Sequence, residues 1–179
     1  GGVYAKGLVN VTGADFDNSG TNDGQIAGQQ ITLNLSGALN NQLGIIESDS
    51  TLNITAASLD NQKGQVRALG KKGKTVFQIG GLFDNRNGTL ETANQDLDFQ
   101  VGSFQNAGGS LLHVGTGTLG ITPANLTNVG GSIITRGGLT IDQDTWTNSS
   151  VIQAGRLTVK VNTLTQDTSG QLLASDSFT

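Results

Sequence analysis

The chain is predicted to be all-β: a right-handed parallel β-helix, or β-solenoid, of about eight coils with about three short strands in each. Three observations predict it. A short motif, apolar–x–Asn followed by two residues and usually Gly, returns every 20–24 residues. The pieces between its copies alternate apolar and polar side chains over three to five positions, which is the period of a strand. No stretch of ten or more residues carries apolar side chains at helical spacing.

The motif opens as FDNSG-TNDG at Phe16, and continues as LNNQLG at Leu39, LDNQKG at Leu59, FDNRNG at Phe83, FQNAGG at Phe104, LTNVGG at Leu126 and WTNSS at Trp146. A degenerate copy, LTQDTSG, begins at Leu164. Its asparagines are Asn18, Asn41, Asn61, Asn85, Asn106, Asn128 and Asn148, at spacings of 23, 20, 24, 21, 22 and 20. After each turn comes a first strand: IIES at Ile45, QVRA at Gln65, TLET at Thr89, SLLHV at Ser110, SIIT at Ser132 and VIQA at Val151. A polar or glycine-rich break precedes a second strand, such as ITLNL at Ile31, TLNI at Thr51, VFQI at Val76 or LTVKV at Leu157. The apolar–x–Asn segment supplies the third. Strands this short cannot bury their apolar face alone, but coil stacked on coil they can. Residues 1–15 read as a leading partial coil and 16–179 as one solenoid, an internal stretch of a larger protein. Eight coils at the ~4.8 Å strand spacing make a rod on the order of 40 Å long.

Composition agrees with a narrow interior. Glycine supplies 27 of 179 residues, about twice the roughly 7% average, while aromatics are 4% and proline occurs once. Such a chain fills its core with small aliphatic side chains. A net charge of −4 without a basic bias gives no reason to expect nucleic acid. Cysteine is absent, which excludes thiolate metal sites. No apolar run approaches the ~18 residues of a membrane-spanning helix.

The repeated Asn has a structural reading. Its side chain bonds neighbouring backbone and tolerates the left-handed conformation of a tight corner. Stacked in register, successive amides form a ladder. The glycine three residues later supplies a second permissive corner.

Units such as LDNQKGQVRA, FDNRNGTLETANQDLDFQVGSF and LTNVGGSIITRGGLTIDQDTW resemble filamentous haemagglutinin repeats over about residues 16–175. The resemblance implies the shaft of an exoprotein exported by two-partner secretion in Gram-negative bacteria, either an adhesin or a contact-dependent growth inhibition protein with its toxin elsewhere. It further implies a secreted, cell-surface location, an outer-membrane transporter partner during export, and a cell-surface receptor or glycan for the parent protein. No cofactor, metal or catalytic residue is implied, and no membrane insertion of this stretch.

Several side chains are weighed against that background. Asp15, Asp17, Ser19, Gly20, Thr21 and Asp23 fall at calcium-loop positions, yet Ile26 stands where the closing bidentate carboxylate belongs. Glu47, Arg67 and Glu91 lie six after their repeat Asn and predict an alternating ion-pair column worth about 0.2–1 kcal/mol per pair. Asp60 and Asp84, each just before an Asn, form a carboxylate pair of the kind polysaccharide-cleaving β-helices use. They lack convergent basic groups, so a carbohydrate-active lyase or hydrolase is the alternative and a non-enzymatic chain the main expectation. His113 has no second ligand or nucleophile in view and reads as a satisfied or exposed imidazole near a corner. Arg67, Lys71, Lys72 and Lys74 are placed in a protruding loop of the longest repeat, a candidate contact for anionic groups. The Asn-x-Ser/Thr sequons at Asn10, Asn34, Asn53, Asn87, Asn125 and Asn148 are expected from the composition alone.

Overall fold

The computed structural model describes residues 1–179 apart from the side chain of Asn22. The chain winds as a parallel β-solenoid of about eight turns. One strand from every turn enters a nine-stranded first sheet: Gly2–Tyr4, Gln25–Gly28, Ile45–Ser48, Gln65–Ala68, Thr89–Thr92, Ser110–His113, Ser132–Asp142, Val151–Lys160 and Gln171–Phe178. We number the coils from these strands, so that coil 1 begins at Gly2 and coil 8 at Val151. The register is unbroken: Gln25, Ile45, Gln65, Thr89, Ser110, Ser132, Val151 and Gln171 stand in one row. Alternation then decides what is buried, because a one-residue slip would turn every apolar side chain outward. Ile26, Ile46, Val66, Leu90, Leu111, Ile133 and Ile152 stack inside, all fully buried.

The second face carries Leu8–Gly13, Gln30–Leu35, Leu52–Ala56, Lys74–Asp84, Asp96–Gln105 and Leu119–Ile121. Three separate strands per coil occur in coils 1 to 3, where Phe16–Asp17, Ala38–Asn40 and Ser58–Asp60 form the third face. In coils 4 and 5 the second and third strands run on as one, and in coils 7 and 8 the first and second do so. Each of these long strands meets a one-residue register shift where it bends, as between Ile79 and Leu82. The breaks expected from glycine-rich stretches are therefore bends within a continuous ladder in these coils.

Few aromatics does not mean an aliphatic core throughout. Phe77, Phe83, Phe99 and Phe104 gather in coils 4 and 5, edge to face, with ring centroids 4.9–5.8 Å apart. Farther along, Trp146 is fully buried and donates its indole N–H to Leu126 O at 3.1 Å.

The corners divide labour differently from the sequence reading. The repeat asparagines of coils 1–5 do not take the left-handed conformation. That role falls one residue before the repeat glycine: Asp23, Leu43, Lys63, Asn87 and Gly108 have φ between 53° and 66°. The repeat glycine is needed for close approach. A Cβ at Gly64 would sit 2.2 Å from Asn41 O, and one at Gly88 2.1 Å from Asn61 O. These backbone oxygens already accept the turn N–H of Gly44 and of Gly64, and moving them aside would break those turns.

Two substitutions follow. Leu43→Asn relieves a left-handed conformation that costs an ordinary side chain about 1–2 kcal/mol, and chemical denaturation should show a gain of about 0.5–1 kcal/mol. Gly88→Ala forces a methyl onto backbone and should lose about 1–3 kcal/mol; an unchanged midpoint would contradict the close-approach account.

Candidate functional site

The most highly organised polar feature is a buried file of amides along one corner. Asn18 Nδ2 donates to Asn41 Oδ1 at 2.8 Å, Asn41 to Asn61 at 2.7 Å, Asn61 to Asn85 at 2.8 Å, and Asn85 to Asn106 at 2.8 Å. The same nitrogens also donate to the carbonyls of Ile45, Gln65, Thr89 and Ser110, each opening the strand that follows the next Asn of the file. Both amide protons of each residue are thus used, in a corner where the asparagines are 0–3% exposed. Every side-chain bond of the file points the same way, from lower to higher residue number.

The file stops at Asn106, and Asn128 is not in it. Asn128 is exposed, with a left-handed φ of 56°. Proline explains the departure. The segment Pro123–Leu126 forms a short 3₁₀ turn where other coils have a third strand, since Pro123 has no N–H for the ladder. Asn125 becomes the buried amide of that coil and donates to Val101 O at 2.7 Å. Asn106 Nδ2 finds the carbonyls of Gly130 and Ser132 in place of a side chain. The pattern resumes at Asn148, which donates to Gln166 Oε1 at 2.7 Å. Gln166 is the degenerate eighth motif, so a longer amide serves in the same place.

Just outside the file, Asp17, Asn40, Asp60 and Asp84 each accept the backbone N–H two residues on, at 3.0–3.1 Å. This turn explains why acidic or amide side chains recur before the Asn. Asp60 and Asp84 do stand side by side in register. Asp60 also accepts from the amides of Gln42 and Gln62. Asp84, 5% exposed, takes a two-pronged contact from Arg86, whose guanidinium is held above its ordinary pKa by that hydrogen-bonded carboxylate. Both carboxylates thus serve the corner itself.

The stretch from Asp15 to Gly24 folds as a corner with a 3₁₀ turn at Gly20–Asn22. Asp15 accepts the N–H of Ala38, and Asp17 that of Ser19. Among the described residues no group of three or more His, Cys, Asp or Glu is placed to hold a metal ion.

Arg67 does not belong to the lysine loop. It lies in the strand Gln65–Ala68 and pairs with Glu47 at 3.1 Å. Glu91 stands in register on its other side, but no ion pair to it forms among the described residues. The expected alternating column is one pair, about a third exposed at each partner. Lys71, Lys72 and Lys74 are exposed. Their loop is tied down from beneath by Asn94, whose Nδ2 reaches the carbonyls of Ser50 and Gly70 at 2.8 Å.

Asn94 belongs to a second polar corner that the sequence reading missed. Thr75 donates to Asn94 Oδ1 and accepts the N–H of Leu52. Ser48 Oγ lies within bonding distance of the carbonyls of Gln29 and Thr51. His113, fully buried, sits in this corner with Nε2 2.9 Å from Asn94 O and Nδ1 2.8 Å from Thr135 Oγ1. A carbonyl only accepts, so Nε2 carries the proton. Nδ1 then accepts from Thr135, whose oxygen in turn accepts the N–H of Gly137. Burial pushes the imidazole pKa down, against the opposing pull of hydrogen bonds to the Asn94 and Gln95 backbone. The available signal was the hydroxyl-rich column Ser48, Thr92, Thr135 in which His113 falls.

Comparison with known proteins adds one relative. The chain is 31% identical, over an alignment of 172 residues, to Deoxyribonuclease CdiA of Dickeya dadantii (strain 3937). The alignment takes in 88% of this chain and 5% of that protein, so the chain spans a small part of the curated relative it matches. The relative's name carries an enzymatic activity that the expectation of a non-enzymatic chain does not share. No family model matches, and no solved structure matches.

Two measurements test the polar corners. Asn61→Ala removes one rung and strands buried partners that cost about 1–3 kcal/mol each, so a loss of roughly 3 kcal/mol is expected. Asn128→Ala, on an exposed side chain, should stay within about 0.5 kcal/mol; equal losses would mean the file is not what holds the corner. His113 gives a pH signature. Its folded pKa lies below its unfolded one, so its stability contribution is full above the unfolded value near 6.5. As pH falls below that, the unfolded chain takes up the proton first, and stability drops by at most about 1.4 kcal/mol per pH unit. Denaturation at pH 7.5 and 5.5 should show this slope, and His113→Thr should flatten it.

Proposed function

We infer that this chain is a shaft segment of a large exported exoprotein of the adhesin or contact-dependent growth inhibition type. It holds a binding or toxic module away from the cell surface, and it is not itself an enzyme. The observation that carries the reading is the continuous parallel register of the first sheet with its buried amide file, a build that resists bending along one axis. Similarity to a CdiA protein supports the growth-inhibition side of the resemblance carried by the repeats. On this reading the deoxyribonuclease activity in that relative's name resides outside the 5% aligned here. An exported shaft would pass through an outer-membrane transporter partner and stand on the cell surface. Its receptor or glycan contacts would be made mainly by the parent protein, with the exposed Lys71, Lys72 and Lys74 loop as a local candidate.

Small-angle scattering should return an elongated particle with a cross-section that stays constant when further repeats are added. The parent protein with coils 2–5 deleted should display its distal module closer to the cell and lose contact-dependent activity, while the isolated module keeps its own. Full activity after the deletion would remove the spacer role. Turnover of a uronate polysaccharide, abolished by Asp60→Asn or Asp84→Asn, would instead establish the carbohydrate-active alternative.

A further inference from the structure

The second and third faces meet at a concave corner that runs along the solenoid axis from coil 2 to coil 6. Its floor is the edge of the apolar core, Ala56, Ile79 and Val101, and its outer wall is the row Thr55, Gln78, Gln100. The hollow, of about 640 Å³, is open along its length, and Thr122, where the proline turn begins, lines its far end. It exists because the bend is built from residues with little or no side chain, Ala57 and Gly80 among them. At the ~4.8 Å strand spacing the groove is on the order of 20 Å long.

Its chemistry is unusual for this surface. No charged residue lines it. Gln78 Oε1 lies 3.4 Å from Thr55 Oγ1, and the Gln78 amide nitrogen has no partner among the described residues. Gln100 gives its amide nitrogen to Asp98 and keeps its carbonyl oxygen. The groove therefore presents one neutral polar side chain per coil, Ser36, Thr55, Gln78, Gln100 and Thr122, over an apolar strip. A peptide would have no backbone to pair with, because the N–H and C=O groups of these strands point along the axis and are used between coils. An anion would find no cation. An extended chain of pyranoses meets each condition: it is neutral, it offers hydroxyls on its edges and C–H surfaces on its faces, and its unit length is close to the coil repeat.

We propose that this groove binds an unbranched neutral polysaccharide, laid along the solenoid axis with about one sugar per coil. The proposal rests on the adhesive side of the function inferred above and not on the shaft itself, so scattering can uphold the rod while the groove fails. The test is calorimetric titration of the 179-residue chain with cellohexaose and with chitohexaose. Gly80 has no atom nearer than 4.0 Å to an added Cβ, so Gly80→Ile fills the groove without strain on the fold. Affinity for at least one hexasaccharide should fall tenfold or more in Gly80→Ile, with circular dichroism unchanged. The pair Gln78→Ala and Gln100→Ala should show the same loss through surface side chains alone. Charge reversal at Lys71, Lys72 and Lys74 should leave binding intact. Absence of binding to both oligosaccharides at millimolar concentration overturns the proposal, as does binding that survives the groove variants or disappears with the lysines.

Discussion

The buried amide file is the interaction on which the rest of this molecule depends. A coil of some 20 residues has too little interior to hold itself together, so it must borrow a surface from each neighbour and meet it in register. Backbone bonds between parallel strands tolerate a slip of two residues almost as well as the correct pairing. An Asn that must both receive from the coil before and donate to the coil after does not. With Asn18, Asn41, Asn61, Asn85 and Asn106 in line, one register satisfies all their buried amides, and the apolar columns are set by it. Aligned amides also polarise one another, which strengthens each bond in a poorly hydrated corner.

Around that file the corner residues have separate duties that explain an otherwise puzzling motif. The residue before the Asn closes a local turn with its side-chain oxygen. Two residues after the Asn the chain turns left-handed, which Asn87 and Gly108 accept more readily than Leu43 or Lys63. The glycine that ends the motif makes room for a carbonyl of the preceding coil. A side chain such as Asp60 thus looks catalytic in isolation and is structural in place.

Much of this was legible because the spacing of the motif is kept almost constant, so columns can be drawn without coordinates. The stacked row of Glu47, Arg67 and Glu91 is where the counting placed it. Counting fails where backbone chemistry changes between copies. Pro123 turns its coil out of the ladder several residues before Asn128, so that an intact motif delivers its Asn to solvent. Side-chain direction was also beyond reach: Arg67 leans to Glu47 and leaves Glu91, a choice among rotamers that no register specifies. The second polar corner escaped because Thr75 and Asn94 lie outside the column that Ser48, His113 and Thr135 share. Thr75 and Asn94 meet across a loop whose length the sequence shows but whose path it does not.

The interruption at Pro123–Leu126 has a mechanical meaning. Coils loaded along the axis are links in series, and a series fails at its weakest link. Among the described residues the second face is joined between coils 6 and 7 by a single bridge, Thr118 to Gly138, where coils 4 and 5 share six paired positions on that face. The amide file is also absent there, and the first sheet, the Trp146 indole and corner contacts such as Ser150 Oγ to Gly130 O carry the joint. A pull on the rod therefore concentrates its strain at this point and spares the coils on either side.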